Sequence, residues 1–440
     1  MKKTFTLLLL CFFISSVSLA GPDDSVTVSA SAQYSKPGIL KRFFIGSNYR
    51  KIWAQPVKMK VFHIQTEKGG FTIKKLGGGM QTKSLKIIDK NGIEWTLRTV
   101  EKDVTKAVEA QGYKTTGFIK NVTQDMISAA HPYAPLTVPV FSRALGVIAA
   151  EPELFFVPDD PAFGEFKVHF ANTVCMLEKE MPTFDDTHSL DTEDLLKVMD
   201  EKIPVIDHKT LLQARLIDML IGDWDRHGKQ WQWGIRANER DTVYYPIPKD
   251  RDQAFFNYNG VLIKMIRPLT FKHMVGFRKR RLKITTLNRK EWEFDRLYLS
   301  QLSAADWENG IKFFQATLND SVLHAAIQQM PPETNALEGE KVFKKLERRR
   351  DVMLKKGMKY YRFLTQTIMI RGSKEGEVFK ISKSGELFDI TVYNGATNRT
   401  IYHRKLQKGE CRQILIDGKG GNDVFQVDET IKDFDVKITK

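Results

Sequence analysis

Cysteine is scarce: three residues in 440, at Cys11, Cys175 and Cys411. Their spacing contains no metal-finger pattern, which excludes a structural zinc domain and a disulfide scaffold. Beyond the first twenty residues no run of about 18 apolar residues occurs, so the rest of the chain is expected to hold no membrane helix. Internal repeats and low-complexity blocks are also missing, which excludes solenoids, collagen-like chains and long disordered tails. Negative charge is in deficit: 53 Asp and Glu stand against 68 Lys and Arg, a formal charge of +15. That balance points to anionic partners such as phosphates or acidic surfaces and says nothing about fold.

The chain opens on MKKTFTLLLLCFFISSVSLA at 1–20. Two lysines, a short apolar run and the small residues Ser18 and Ala20 have the form of a secretory signal peptide. Its run is too short to span a bilayer, and Cys11 lacks the small residue before it that a lipid anchor wants. The chain is therefore expected to be exported: periplasmic, outer-membrane associated or secreted. A disulfide between Cys175 and Cys411 stays open on this reading.

From Val57 the pattern is β-like, with KMKVFHI, GFTIKKL, SLKIID and WTLRTV. The dipeptide Asn91-Gly92 between the last two predicts a hairpin. Helical stretches are expected at 123–131 and 138–146, then a strand pair at LFFVPDD and NTVCMLEKE. After Met181 the pattern turns helical: TEDLLKVMDE from a Thr cap, then KTLLQARLIDMLIG, and a long helical region over 303–367. Short strands return at WQWGIR and TVYYPIP, and from Gly372 the chain is β-like again. The order predicts an α+β chain: an extension at 21–68, a β-rich lobe at 69–180, a mainly helical lobe at 181–370, and a small β-domain at 371–440.

Three clusters carry candidate chemistry. Residues 221–230, IGDWDRHGKQ, place two carboxylates, an Arg, a His and an amide directly after an apolar helix. Residues 246–255, PIPKDRDQAF, put a second acid pair, Asp250 and Asp252, at a strand end. Two acidic loops at adjacent strand ends offer hard oxygen ligands for a divalent cation. Between two strands, Gly77, Gly78, Gly79 and Lys83 offer close backbone N–H groups and a charge for phosphate, and Arg98 on the next strand adds a fixed cation. Each cluster also has an ordinary reading: a flexible turn, a salt-bridge knot around Arg226, a loop cap. The single GKGGND at 418–423 is similar to one turn of a calcium-binding repeat, and a lone copy reads as a tight turn. The metallophosphoesterase-like start at Asp186-Thr187-His188 lacks the later histidine ligands and is rejected. The basic run 277–283 reads as a solvated face or a contact for phosphate or lipid.

The order glycine hairpin, basic strand, helix, DRH loop and acid-rich strand end resembles the atypical branch of the protein-kinase-like fold. DWDRHGKQ is similar to the catalytic loop of the toxin kinase HipA, the spore-coat kinase CotH and the secreted Golgi casein kinases; PIPKDRDQAF is similar to the CotH metal motif. The whole chain also resembles uncharacterised exported Bacteroidetes proteins. The resemblance, over about 69–367, implies a two-lobed protein-kinase-like fold followed by the small β-domain. It implies ATP or another nucleotide with Mg²⁺ or Mn²⁺, and an unknown hydroxyl acceptor. On it, Asp225 deprotonates or orients the acceptor, Gln230 helps hold metal, and Asp250 or Asp252 is the main ligand. Arg98 replaces the strand lysine with Asp125 as its acid, and Glu178 marks the hinge. Arg for Lys and Gln for Asn depart from the pattern. They keep a second function open, a non-catalytic envelope module (pseudokinase) that binds an envelope protein or an anionic surface. Nucleic acid is not an expected partner.

Overall fold

The computed structural model describes residues 24–78, 82–102, 117–184, 188–237, 241–270, 272–279 and 282–439. The leader at 1–20 and Gly79 lie outside the described residues. So do Asp186 and Thr187.

Seven strands form the first sheet: β1 (Ser25–Ser29), β2 (Pro56–Val61), β3 (Phe71–Gly77), β4 (Ser84–Asp89), β5 (Glu94–Thr99), β6 (Glu153–Val157) and β7 (Thr173–Lys179), in the order β1-β2-β6-β7-β5-β4-β3. Alternation drives them. In β2, Val57, Met59 and Val61 face inward while Lys58 and Lys60 face solvent. The β4–β5 turn forms as expected, with Gly92 at φ +81 and the Asp89 carboxylate accepting the Asn91 and Ile93 amides at 2.8 and 3.0 Å. The segment read as an extension supplies β1 and β2 of this sheet. Polar composition hid β1, SVTVS, whereas β2 falls in the KMKVFHI stretch read as β-like.

The second lobe is a small sheet wrapped by helices. Its strands β8 (Ser189–Asp191), β9 (Val205–Ile206), β10 (Trp231–Ala237) and β11 (Thr242–Pro248) run in the order β8-β10-β11-β9. The Thr192–Glu201 helix is capped by Asp191, which accepts the Asp194 amide, rather than by Thr192. Its neighbour, His208–Ile221, buries Leu211 through Ile221 without interruption, so it lies inside the lobe rather than on its surface. One apolar core runs from Val57 and Met59 of β2 and Val174 of β7 into the helices of the second lobe. The lobes are therefore joined by packing as well as by chain. No helix of the described residues is long and apolar enough to cross a membrane.

The chain ends in a β unit with its own core. It holds β12 (Thr367–Arg371), β13 (Glu377–Ser384), β14 (Leu387–Asn394), β15 (Thr400–Gln407), β16 (Gln413–Asp417), β17 (Val424–Val427) and β18 (Asp435–Thr439). They form two sheets, β12-β16-β18 and β15-β14-β13-β17. The unit takes its first strand from 367 onward, ahead of the expected start at 371. Ion pairs Arg371–Asp200, Lys374–Glu201 and Arg399–Asp241 tie it to the helical lobe. Cys175 and Cys411 are both buried free thiols, so no bridge joins them.

Candidate functional site

The His208–Ile221 helix ends at Gly222, which adopts φ +75 and returns its amide to Asp218 at 3.0 Å. This left-handed stop turns the chain sharply and delivers 223–230 to the face between the lobes. Beneath the loop lies a buried ionic floor. Asp218 is fully buried and shared by three guanidiniums: Arg215 at 2.8 Å, Arg226 at 3.2 Å and Arg251 at 3.0 Å. Burial alone would raise its pKa; the three arginines overcome this and hold it below the usual carboxylate range. Arg226 also reaches Asp223 at 2.9 Å, so the salt-bridge knot is real. Arg349 closes the floor from behind, donating to the carbonyls of Leu220 and Met219 at 2.6 Å each. It has no carboxylate partner among the described residues and neutralises the helix C-terminus instead.

Asp225 stands clear of this knot. Its side chain is about one-third exposed at the loop's rim and is ion-paired with Lys290, while its amide donates to Asp223 at 3.1 Å. Asp250 follows β11 in a left-handed conformation, φ +54, which costs on the order of 1 kcal/mol and aims its carboxylate across the crevice. There it meets Arg98 of β5 at 3.4 Å and accepts the Gln230 amide N–H at 3.3 Å. Arg98 also lies 3.7 Å from Glu178 of β7. Burial pushes the Asp250 pKa up, but Arg98 and Lys102 outweigh it and keep the carboxyl ionised. Asp252 is paired with the nearly buried Lys102; burial and the neighbouring Asp250 still raise its pKa.

Arg98, Glu178, Gln230 and Asp250 thus meet in one crevice, although they span more than 150 residues of sequence. Three further members were given no role in the sequence: Lys102, Glu180 and Lys249. Glu180 lies 2.7 Å from Lys249 and is ion-paired with Lys86. Burial opposes its ionisation, and the two lysines with Thr96 nevertheless hold its pKa at about 2. Only the run of alternating charge, Glu178-Lys179-Glu180, hinted at them.

Other expected placements differ. Asp125 pairs with Arg50 at 2.7 Å and with Lys41 at 3.8 Å, so the acid facing Arg98 is Glu178 together with Asp250. Gln230 presents its amide nitrogen to Asp250, and its carbonyl accepts the His227 amide at 3.3 Å. Lys83 has no ion pair among the described residues and lines, with Lys102, a cavity of about 690 Å³ bordered by β1. Gly78 adopts φ +113, and a Cβ there would fall 2.3 Å from the Thr82 carbonyl, so the turn's own tightness demands glycine. Gly77 is looser, with Ser84 Oγ 3.0 Å from where its Cβ would be.

Two small voids remain in the crevice, about 40 Å³ beside Glu178, Lys249 and Asp250, and about 50 Å³ beside Arg98, Lys102 and Asp252. Both are far below the ~300 Å³ that a bound small molecule occupies. The ion pairs across the crevice hold it shut.

No protein family and no curated protein matches the sequence. Among solved structures the chain is similar to the Helicobacter pylori proinflammatory kinase CtkA, 12% identical over 66% of this chain and 96% of that one, with a TM-score of 0.35. It is also similar to the Rio2 kinase of Chaetomium thermophilum in its ADP/Mg²⁺-phosphoaspartate complex, 12% identical over 67% and 73% of the two chains, with a TM-score of 0.28. Likeness this slight bears on neither activity nor ligand.

Proposed function

We propose that this chain is an exported, kinase-like phosphotransferase that moves the terminal phosphoryl group of a nucleotide to a hydroxyl on a protein, glycan or small molecule. The observation that carries the reading is the convergence of Arg98, Gln230 and Asp250 in one crevice; Asp225 stands about one-third exposed on the loop that also carries Gln230. In phosphoryl transfer the protein mainly positions groups and neutralises charge, and these residue types suit both tasks.

Asp250 and Asp252 fit a divalent ion. Mg²⁺ keeps several waters and needs only one or two carboxylates, and both acids stand one residue apart at a strand end. Such an ion would neutralise phosphate charge. Arg98 and Lys102 now balance those carboxylates, so nucleotide phosphates would take over the cations as the crevice opens. Gln230 acts by fixing Asp250 through its N–H. Asp225 accepts the acceptor hydroxyl's proton, and Lys290 holds that carboxylate in place as its ion-pair partner until the hydroxyl displaces it.

One observation favours the non-catalytic alternative: both candidate metal carboxylates already have cation partners in a shut crevice. Melting the 21–440 chain with ATP, GTP or ADP, with and without Mg²⁺ or Mn²⁺, tests binding, because a ligand specific to the folded state must raise the melting temperature. Transfer to generic hydroxyl acceptors is then followed for the parent and Asp225→Asn. The enzyme reading expects a metal-dependent shift and a loss of transfer of about 10²–10⁴-fold in the variant. A shift without transfer, or no shift with any nucleotide, overturns the enzyme reading and leaves the non-catalytic module.

A further inference from the structure

Outside the crevice, the second half of the N-terminal segment forms an unusual surface. The short Ile39–Phe44 helix buries none of its side chains. Ile39 is 86% exposed, Leu40 73%, Phe43 58% and Phe44 46%. A monomeric protein does not ordinarily leave four large apolar side chains in water on one turn and a half of helix.

The helix is not loose. Immediately after it Ile45 is 3% exposed, and Tyr49, Ile52 and Trp53 continue into the main core. Its end is clamped against a second element, since a Cβ on Gly260 would fall 2.2–2.3 Å from the backbone of Phe44 and Ile45. Gly260 opens the Val261–Thr270 helix. That helix buries Ile263 against Phe256, Tyr258 and Met274 and turns Met265, 68% exposed, to solvent beside the first helix. The apolar side chains therefore stand on a fixed base made of two helices from distant parts of the sequence.

Charge follows the same geometry. Between Asp24 and Glu67 there is no acidic residue and there are seven Lys and Arg, and between Asp252 and Glu291 there is again no acid and there are ten, although Arg50, Lys60 and Lys290 lie apart from this face in ion pairs with Asp125, Glu67 and Asp225. The two acid-free stretches meet at the Gly260 contact. Lys41, Arg42 and Lys264 are exposed among the apolar residues. Among the described residues the acid paired with this face is Asp125, already committed to Arg50 and lying 3.8 Å from Lys41.

We infer that this two-helix face docks on an anionic phospholipid bilayer, with Ile39, Leu40, Phe43 and Met265 entering the headgroup boundary and the lysines and arginines meeting lipid phosphates. Exposed apolar residues interleaved with cations are the recognised chemistry of interfacial binding, in which area burial and charge attraction add. A nucleic acid would use the cations and leave the phenylalanines in water. The surface is independent of any reaction in the crevice, and the test does not depend on nucleotide.

The 21–440 chain, which retains every described residue, is sedimented with vesicles of phosphatidylcholine alone or mixed with phosphatidylglycerol at low and high salt. The expected result is binding only to the anionic vesicles, weakened by salt, and about tenfold weaker for the charge-neutral Leu40→Ser/Phe43→Ser double variant. Val168→Asp, at a residue 80% exposed on another element, should bind as the parent does. Should the double variant melt below the parent, Phe43→Ser alone serves. No binding at low salt overturns the inference. So does binding that the double variant keeps in full, which would mark adsorption by charge alone, and so does duplex DNA binding that is equally insensitive to it.

Discussion

Replacing Glu180 by Gln isolates one ionisation at the hinge side of the crevice. The carboxylate lies 2.7 Å from Lys249, pairs with Lys86 and accepts from Thr96, and these contacts hold its pKa at about 2 against an ordinary value of 4.5. The folded-state value is the lower, so the unfolded chain takes up this proton first. The stabilisation is complete above about pH 4.5 and is lost as pH falls toward 2. A depression of that size corresponds to about 3 kcal/mol, which the roughly one-fifth exposure of all three side chains reduces to about 2 kcal/mol. For a chain this long that is a melting-temperature loss of about 2–5 °C near neutral pH. Parallel thermal melts of parent and Glu180→Gln from pH 7 to 3 provide the measurement, and the gap between the curves should close steadily below about pH 4.5. A gap that stays constant with pH would mean that shape, not charge, holds this corner together. A variant more stable than the parent at pH 7 would refute the ion-pair account outright.

Three further outcomes follow from the same structure. Gly78→Ala should cost about 1–3 kcal/mol, read as a lowered melting temperature with faster amide exchange in β3 and β4, because φ is +113 and the new Cβ meets the Thr82 carbonyl. The Glu291 carboxyl is fully buried with no hydrogen-bond partner among the described residues, and burial first, then Asp295, pushes its pKa to about 8 despite Arg215. The folded protein keeps this proton longer than the unfolded chain, so stability declines as pH rises from 4.5 to 8; Glu291→Gln should match the parent at pH 5 and melt higher at pH 8. Asp218→Asn leaves Arg215, Arg226 and Arg251 without their shared anion and should cost about 3–5 kcal/mol in urea unfolding, more than any exposed acid-to-amide change.

Local pattern carried much of the fold into the sequence. SLKIID and WTLRTV around Asn91-Gly92 are β4 and β5, and KTLLQARLIDMLIG is the central helix with Gly222 as its stop. These signals work because periodicity and turn chemistry act within a dozen residues. The β1 strand escaped because five residues of Ser, Val and Thr look like a polar lead-in until their partner, β2, is known. In the crevice, the motif residues Arg98 and Asp250 were legible, but their ion pair was not, and Asp125 was the nearer acid in sequence. Lys102 with Asp252 and Lys249 with Glu180 are joined across 150 and 69 residues, and nothing in spacing encodes a contact of that range.

The Arg349 clasp on the carbonyls of Met219 and Leu220 makes the two layers of polar contacts unequal in their response to salt. Its bonds join a buried cation to backbone dipoles, and the Asp218 cluster beside it is sealed from water, so added electrolyte screens neither strongly. The upper contacts, Arg98 to Asp250 and Glu178, have side chains about one-fifth to one-third exposed and feel the ionic strength directly. Added salt therefore weakens the charged contacts above the 223–230 loop before it reaches the floor, while the apolar core shared by the sheet and the helices still holds the two lobes together.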